Sequence, residues 1–228
     1  MEVVAIVLGA GSGQRMGGRP KALLDLLGRP MFLYSVRSFV LSRQIAHIVL
    51  VVPSGAIQEA HIQLVKHGLS DFVTVTGGGN SRSESAALGL KSAPNSDLVM
   101  IHDASRPCLT TDLVLKALES AKLQSPVVPG LPVVDTIRRF GQEGSGSEII
   151  DRENLFNIQT PQVFRREQLS KIYAETEGLE APDDAFLYES LGLNVFRFEG
   201  DPENLKVTFP GDIGLAEQIL RSRGVEPL

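Results

Sequence analysis

Val3-Val-Ala-Ile-Val-Leu-Gly-Ala-Gly-Ser-Gly-Gln-Arg-Met-Gly-Gly-Arg-Pro-Lys21 is the stretch on which the architecture turns. Residues 3–8 are a short apolar run, and such a run emptying into a glycine-dense loop reads as a buried parallel strand ending at a phosphate site. Glycine lacks Cβ, so this loop can take positive φ and bring backbone N–H groups up to an anion, while Arg15 and Lys21 add full positive charge. The familiar glycine signatures do not fit. A dinucleotide fingerprint on Gly9 and Gly11 needs its third glycine at position 14, where Gln14 stands, and a Gly-Lys-Ser/Thr ending is absent because Lys21 lies between Pro20 and Ala22. The combination suits a triphosphate.

Outward from the loop the chain alternates. Phe32, Val36, Phe39 and Val40 have helical spacing and predict a helix over 31–41, followed by a strand over 45–52 and a helix over 57–67. A short strand over 72–76 runs into three glycines, 77–79, ahead of a helix over 81–93; a strand over 97–102 then ends in Asp103-Ala-Ser-Arg106-Pro107. The βαβα order points to a doubly wound, Rossmann-like α/β fold with a mostly parallel sheet. Ligands gather outside the carboxyl ends of such strands, which sets Asp103 and Arg106 beside the opening loop.

Thr110 or Thr111 can cap a helix reaching to 122, while 127–134 is broken by Pro129 and Pro132 and reads as an edge or irregular strand. Residues 136–140 alternate, 141–147 are rich in glycine and serine, and 148–151 alternate again, which predicts a β-hairpin that leaves the main sheet. A lone hairpin is marginal in water and needs a covering surface, most economically a second copy of the chain. Helices over 166–175 and 183–191, a strand over 194–198 and a helix over 213–223 complete one domain, 1–228, with an arm at about 135–152.

Composition narrows the function. The 228 residues carry a formal net charge of −5, against broad binding to nucleic acid but compatible with a local basic pocket for a small anion. A single cysteine, Cys108, excludes an intrachain disulfide framework and points to a reducing cytoplasm. The chain enters its first strand without a basic and apolar leader, and no apolar stretch approaches the ~20 residues of a membrane span, so a soluble, unexported protein is expected.

The segments GAGSGQRM with PK at 9–21, GGNSRSESAALGL at 78–90, HDASRP at 102–107, PVVDT at 132–136, DR at 151–152, IQTPQVF at 158–164 and NLKVT at 204–208 occur in one order over nearly the whole chain. In that register the sequence resembles the 2-C-methyl-D-erythritol 4-phosphate cytidylyltransferase family of the non-mevalonate isoprenoid pathway. The resemblance implies CTP joined to a phosphorylated polyol, with Mg²⁺. It implies that Arg15, Lys21 and Lys206 are catalytic, and that Ala10, Gly11, Ser12, Gly13, Gly78, Ser85 and Asp103 hold the nucleotide. Asp103, Arg106, Thr136, Arg152, Thr160 and Lys206 match positions on the acceptor side, and Asp103 is the carboxylate best placed to meet the metal. The arm then reaches into a neighbouring subunit, so that a homodimer exchanges Thr136 and Arg152. His102 reads as a structural strand-end residue.

The physical reading agrees with that chemistry. A phosphate dianion is already a nucleophile, so catalysis reduces to positioning and charge neutralisation. Two departures from the family pattern stand out: Pro182 where a threonine is common before the acidic pair Asp183-Asp184, and Ser105 within HDASRP. Two other readings stay open, a ribitol-5-phosphate cytidylyltransferase and a regulator that binds nucleotide without turnover. Ile150-Asp151-Arg152 favours the methylerythritol enzyme over the first, and the full set of expected cations disfavours the second.

Overall fold

A computed structural model describes residues 1–11, 20–144 and 146–225. In chain order the elements are β1 (Val3–Leu8), β2 (Asp25–Leu26), β3 (Arg29–Pro30), α1 (Phe32–Ser42), β4 (His47–Val52), α2 (Ile57–Lys66), β5 (Val73–Gly77), α3 (Arg82–Ser92), β6 (Leu98–Asp103) and α4 (Thr111–Leu123). They continue with β7 (Val127–Pro132), β8 (Ile137–Phe140), β9 (Ser147–Ile150), β10 (Phe156–Ile158), β11 (Gln162–Arg165), α5 (Arg166–Glu175), α6 (Asp184–Ser190), β12 (Phe196–Glu199) and α7 (Gly211–Ser222).

The main sheet runs β5-β4-β1-β6-β11-β7, with β10 and β12 also paired to β7. Its centre is β1, parallel to β4 on one side and β6 on the other, so Leu8 lies opposite Asp103. Side chains alternate strictly between two cores. Val4, Ile6, Val49, Val51, Val99 and Ile101 pack against α3, α5 and α6, while Ala5, Val7, Ile48, Leu50, Leu98 and Met100 pack against α1, α2 and α4. Both faces are covered, which is why these strands read as continuous apolar runs. Each fully buried aliphatic side chain contributes about 1.5–3 kcal/mol. Helix α3 lies close on β1 because position 89 is glycine: a Cβ there would stand 2.6 Å from Ile6 Cγ2. That contact brings the amino end of α3 to the end of β1.

A smaller core joins Leu26, Leu27, Met31 and Tyr34 to Val207, Ala216 and Leu220. It seats the segment after Lys21 and the segment after Lys206 on one floor. Strands β8 and β9 form a separate antiparallel ladder from Ile137↔Ile150 to Phe140↔Ser147, the extruded hairpin expected from the sequence.

The right-hand half of the sheet departs from expectation. Strand β7 is interior, paired with β12 over Val127–Gly130 and with β10 over Gly130–Pro132. Proline removes only a donor, and the Pro129 carbonyl still accepts from Gln159 N at 2.8 Å. Strand β11 inserts antiparallel against β6, Gln162 opposite Ile101, where the sequence reading assigned nothing. Gln162-Val-Phe-Arg165 does not alternate apolar and polar residues, so it carries no strand signal of its own.

Candidate active site

The carboxyl ends of β1 and β6 open into a cleft of about 600 Å³. Its walls are the 9–11 segment, the 79–85 turn into α3 and the 103–105 turn, with Lys21 and Lys206 also lining it. Positive φ plays no part at Gly9, Gly11, Gly78 or Gly79. Close approach does: a Cβ on Gly78 would stand 2.3 Å from Ala10 Cβ, so the two loops meet only because position 78 has no side chain. Ser81 is the N-cap of α3, accepting from Glu84 N at 3.0 Å. Ser85, expected to contact nucleotide, lines the cleft but commits its hydroxyl to the turn, accepting from Gly79 N and donating to Ser81 O. Ser12, Gly13 and Arg15 lie outside the described residues.

Charge is arranged as a relay. Lys206 Nζ donates to Asp103 Oδ2 at 2.7 Å, and Arg82 Nη2 lies 3.7 Å from Asp103 Oδ1. Behind it, Arg82 Nη1 donates to Asp184 Oδ2 at 2.7 Å, and Tyr173 Oη donates to Asp184 Oδ1 at 2.6 Å. Burial alone would raise the Asp103 pKa, but the Lys206 ammonium and the Arg82 guanidinium overcome it and hold the carboxyl well below the usual range. Burial likewise opposes the charge on Arg82, and Asp184 and Asp103 restore it. The Tyr173 phenol is pushed well up by burial and by Asp184, so it stays a donor. The sequence reading passed over Arg82, although it sits inside the 78–90 segment. Its partner Asp184 is 102 positions away, a pairing no local pattern discloses.

A second layer fixes Asp103 from beneath. Its backbone N–H donates to Thr160 Oγ1 at 3.1 Å; the Thr160 hydroxyl meets His102 Nδ1 at 3.0 Å, and His102 Nε2 meets the Arg106 carbonyl at 3.1 Å. A carbonyl only accepts, so Nε2 carries the proton and Nδ1 accepts from Thr160. The imidazole is fully buried, which lowers its pKa to about 4. His102 is therefore the structural residue it was expected to be.

This layer also holds two residues expected on the acceptor side. Thr160 is buried with its hydroxyl spent between Asp103 and His102, so it supports the wall from behind. Arg106 is buried too, and its guanidinium donates to Asn204 O at 2.8 Å and Ile158 O at 3.4 Å. Arg106 thus braces the segment carrying Lys206, while Asp103 takes its ion pairs from Lys206 and Arg82.

Lys21 Nζ donates to the carbonyls of Val207 and Thr208, both at 3.4 Å, which places the two lysine segments side by side. Thr136 and Arg152 are exposed on and beside the arm and do not line the cleft of their own chain. Arg152 Nη1 donates to the Val134 carbonyl. At the departure from the family pattern, Pro182 is exposed, and the neighbouring Asp183 caps α6 by accepting from Phe186 N at 2.9 Å.

The donor set does not suit a metal held by Asp103. Lys206 occupies Oδ2, Arg82 faces Oδ1, and the described residues gather no group of three or more His, Cys, Asp or Glu. Among the described residues no helix is long and apolar enough to cross a membrane.

Comparison with known proteins agrees over the full architecture. A family model described as 2-C-methyl-D-erythritol 4-phosphate cytidylyltransferase matches residues 3–222. The enzyme of that name from Dehalococcoides mccartyi is 35% identical over 220 residues, covering 96% of each chain. Its counterpart from Streptomyces avermitilis is 38% identical over 231 residues, covering 96% of this chain and 92% of its own. The crystal structure of the enzyme from Thermus thermophilus superposes with a TM-score of 0.81 at 34% identity, covering 97% of this chain and all of its own.

Proposed function

The chain belongs to the 2-C-methyl-D-erythritol 4-phosphate cytidylyltransferase family, and from that premise we propose how its cleft carries out the transfer. It is a nucleotidyltransferase that joins CTP to 2-C-methyl-D-erythritol 4-phosphate. In our reading the nucleoside of CTP rests on the 9–13 and 78–85 segments, with Asp103 at its edge, and the triphosphate lies against Lys21 and Arg15. An oxygen of the acceptor phosphate attacks the α-phosphorus in line. The bond from that phosphorus to the bridging oxygen of the β-phosphate breaks, and pyrophosphate leaves with the electron pair. No side chain need be activated, because the acceptor arrives as an anion; Lys21 and Arg15 stabilise charge that builds on the leaving pyrophosphate. A divalent cation, commonly used by such enzymes, would supply further charge neutralisation on the phosphate oxygens when bound with CTP.

Lys206 holds the acceptor phosphate on one side. Arg152 and Thr136 complete that site from a second copy, since neither lines the cleft of its own chain. A fork of arginine donors matches a phosphomonoester. We therefore read residues 1–228 as one nucleotidyltransferase domain whose arm, at about 135–152, exchanges between the halves of a cytoplasmic homodimer. The observation that carries this reading is the cleft at the β1 and β6 ends, with Lys21 and Lys206 on its wall beside the glycine segments. Pyrophosphate release from CTP and Mg²⁺, measured with methylerythritol phosphate, ribitol 5-phosphate or no acceptor, tests it. Release confined to methylerythritol phosphate and lost in Arg152→Ala is expected. Preference for ribitol 5-phosphate would overturn the acceptor, and CTP binding without release under any condition would overturn catalysis.

A further inference from the structure

Arg82 has no place in the transfer as described, yet it is firmly anchored in the cleft wall. Nη1 is committed to Asp184, which is fully buried and held on its other oxygen by Tyr173. Nη2 is different. It is buried without a hydrogen-bond partner and stands 3.7 Å from Asp103 Oδ1, beyond hydrogen-bond reach. Asp103 offers that same oxygen, because Lys206 occupies the other. The cleft thus presents one unfilled donor beside one available acceptor.

We propose that Arg82 Nη2 and Asp103 Oδ1 together bind a single hydroxyl group of the substrates, the guanidinium donating a hydrogen bond to its oxygen and the carboxylate accepting a hydrogen bond from its O–H. This rests on the reading that the cleft holds CTP and a polyol phosphate. A hydroxyl both donates and accepts, so it satisfies the two facing groups at once. A phosphate oxygen would satisfy Arg82 but confront the Asp103 carboxylate, and an amine would do the reverse. Tyr173 and Asp184 are positioning residues: they fix the guanidinium so that Nη2 faces Asp103. The hydroxyl belongs either to the ribose or to the acceptor, and the experiment separates these sources.

The test measures kcat/KM for CTP, 2′-deoxy-CTP and 3′-deoxy-CTP, and for acceptors singly deoxygenated at C1, C2 and C3, in the wild type, Arg82→Gln and Arg82→Lys. In the wild type one analogue is expected to lose about 10²-fold, since its absence leaves a charged donor and a charged acceptor unfilled. In Arg82→Gln the penalty for that analogue shrinks to about 5-fold or less, while the penalties for the others stay as they were. The proposal is overturned if every wild-type penalty is below about 3-fold, or if the large penalty survives intact in both variants. Should Arg82→Gln fail to fold because Asp184 is stranded, the double variant Arg82→Gln/Asp184→Asn removes both charges and serves in its place. Turnover of the unmodified pair by the wild type, read in the same run, reports separately on the proposed function.

Discussion

The cleft wall and the arm are held by different means. Asp103, His102, Thr160, Arg106 and Asn204 are all buried and bonded to one another or to neighbouring backbone. The arm has one short ladder and leaves Val134 77%, Phe140 59% and Ile149 62% exposed. A two-stranded ladder with its apolar residues in water is marginal alone. The contrast supports the proposed division of labour, in which a braced wall meets the nucleotide and an arm covered by a second copy completes the acceptor site.

The sharpest way to break that contrast is complementation, which also has the largest effect. Arg152→Ala and Lys206→Ala should each lower kcat/KM by on the order of 10²-fold or more if each supplies the proposed charged contact to the acceptor phosphate. Refolded together in equal amounts, half of the dimers are mixed. If the arm acts across the interface, each mixed dimer has one site with both defects and one with neither, so about a quarter of wild-type activity returns. If Arg152 serves its own chain, every site keeps a defect and the mixture stays as inactive as its parents.

The two regions were also unequally legible in the sequence. The parallel half of the sheet could be read because strands buried on both faces are continuous apolar runs. The hairpin could be read because its alternation brackets a run of glycine and serine. Strand β11 could not, because Gln162-Val-Phe-Arg165 does not alternate and is defined by its insertion beside β6. The cleft's cations were found where a motif names them, as with Lys21 and Lys206. Arg82 was missed because its role depends on Asp184 and Tyr173, remote residues that meet only in the fold. Arg106 is a related case. Its place after Asp103 suggests a ligand, whereas the backbone turn sends its guanidinium to carbonyls 158 and 204.

Acid offers a second probe of the difference, of intermediate size. His102 is neutral and buried, with a pKa lowered to about 4. Unfolded histidine binds a proton below about 6.5, while the folded ring resists it down to about 4, so its contribution is complete above 6.5 and is lost as pH falls through that window. Between pH 7 and 4.5 this costs about 2–3 kcal/mol. Residues 135–152 contain no histidine, so nothing comparable acts on the arm. Imidazole ¹⁵N shifts should keep His102 in its Nε2–H form down to pH 5, and in His102→Gln the drop in urea-unfolding free energy should be smaller by that amount. A ring titrating near 6.5 would sever the layer beneath Asp103 from the stability of the wall.

The smallest effect on the chain itself separates exposure from interface. Phe140 on the arm and Leu123 at the end of α4 are both large, apolar and exposed, 59% and 86% respectively. Phe140→Ser and Leu123→Ser should therefore each change the stability of the isolated chain by no more than about 0.5 kcal/mol. Association should distinguish them. If the arm is covered by a second copy, removing Phe140 forfeits about 1.5–3 kcal/mol of burial on each arm, about 3–6 kcal/mol for the two arms of a dimer, which weakens the dimer roughly 10²- to 10⁴-fold. Sedimentation velocity over a dilution series, with activity followed at the same concentrations, reads both quantities. Phe140→Ser should dissociate and lose specific activity on dilution, while Leu123→Ser behaves as the wild type. Equal dimerisation in the two variants would remove the arm from the interface, and with it the reason that Arg152 stands outside its own cleft.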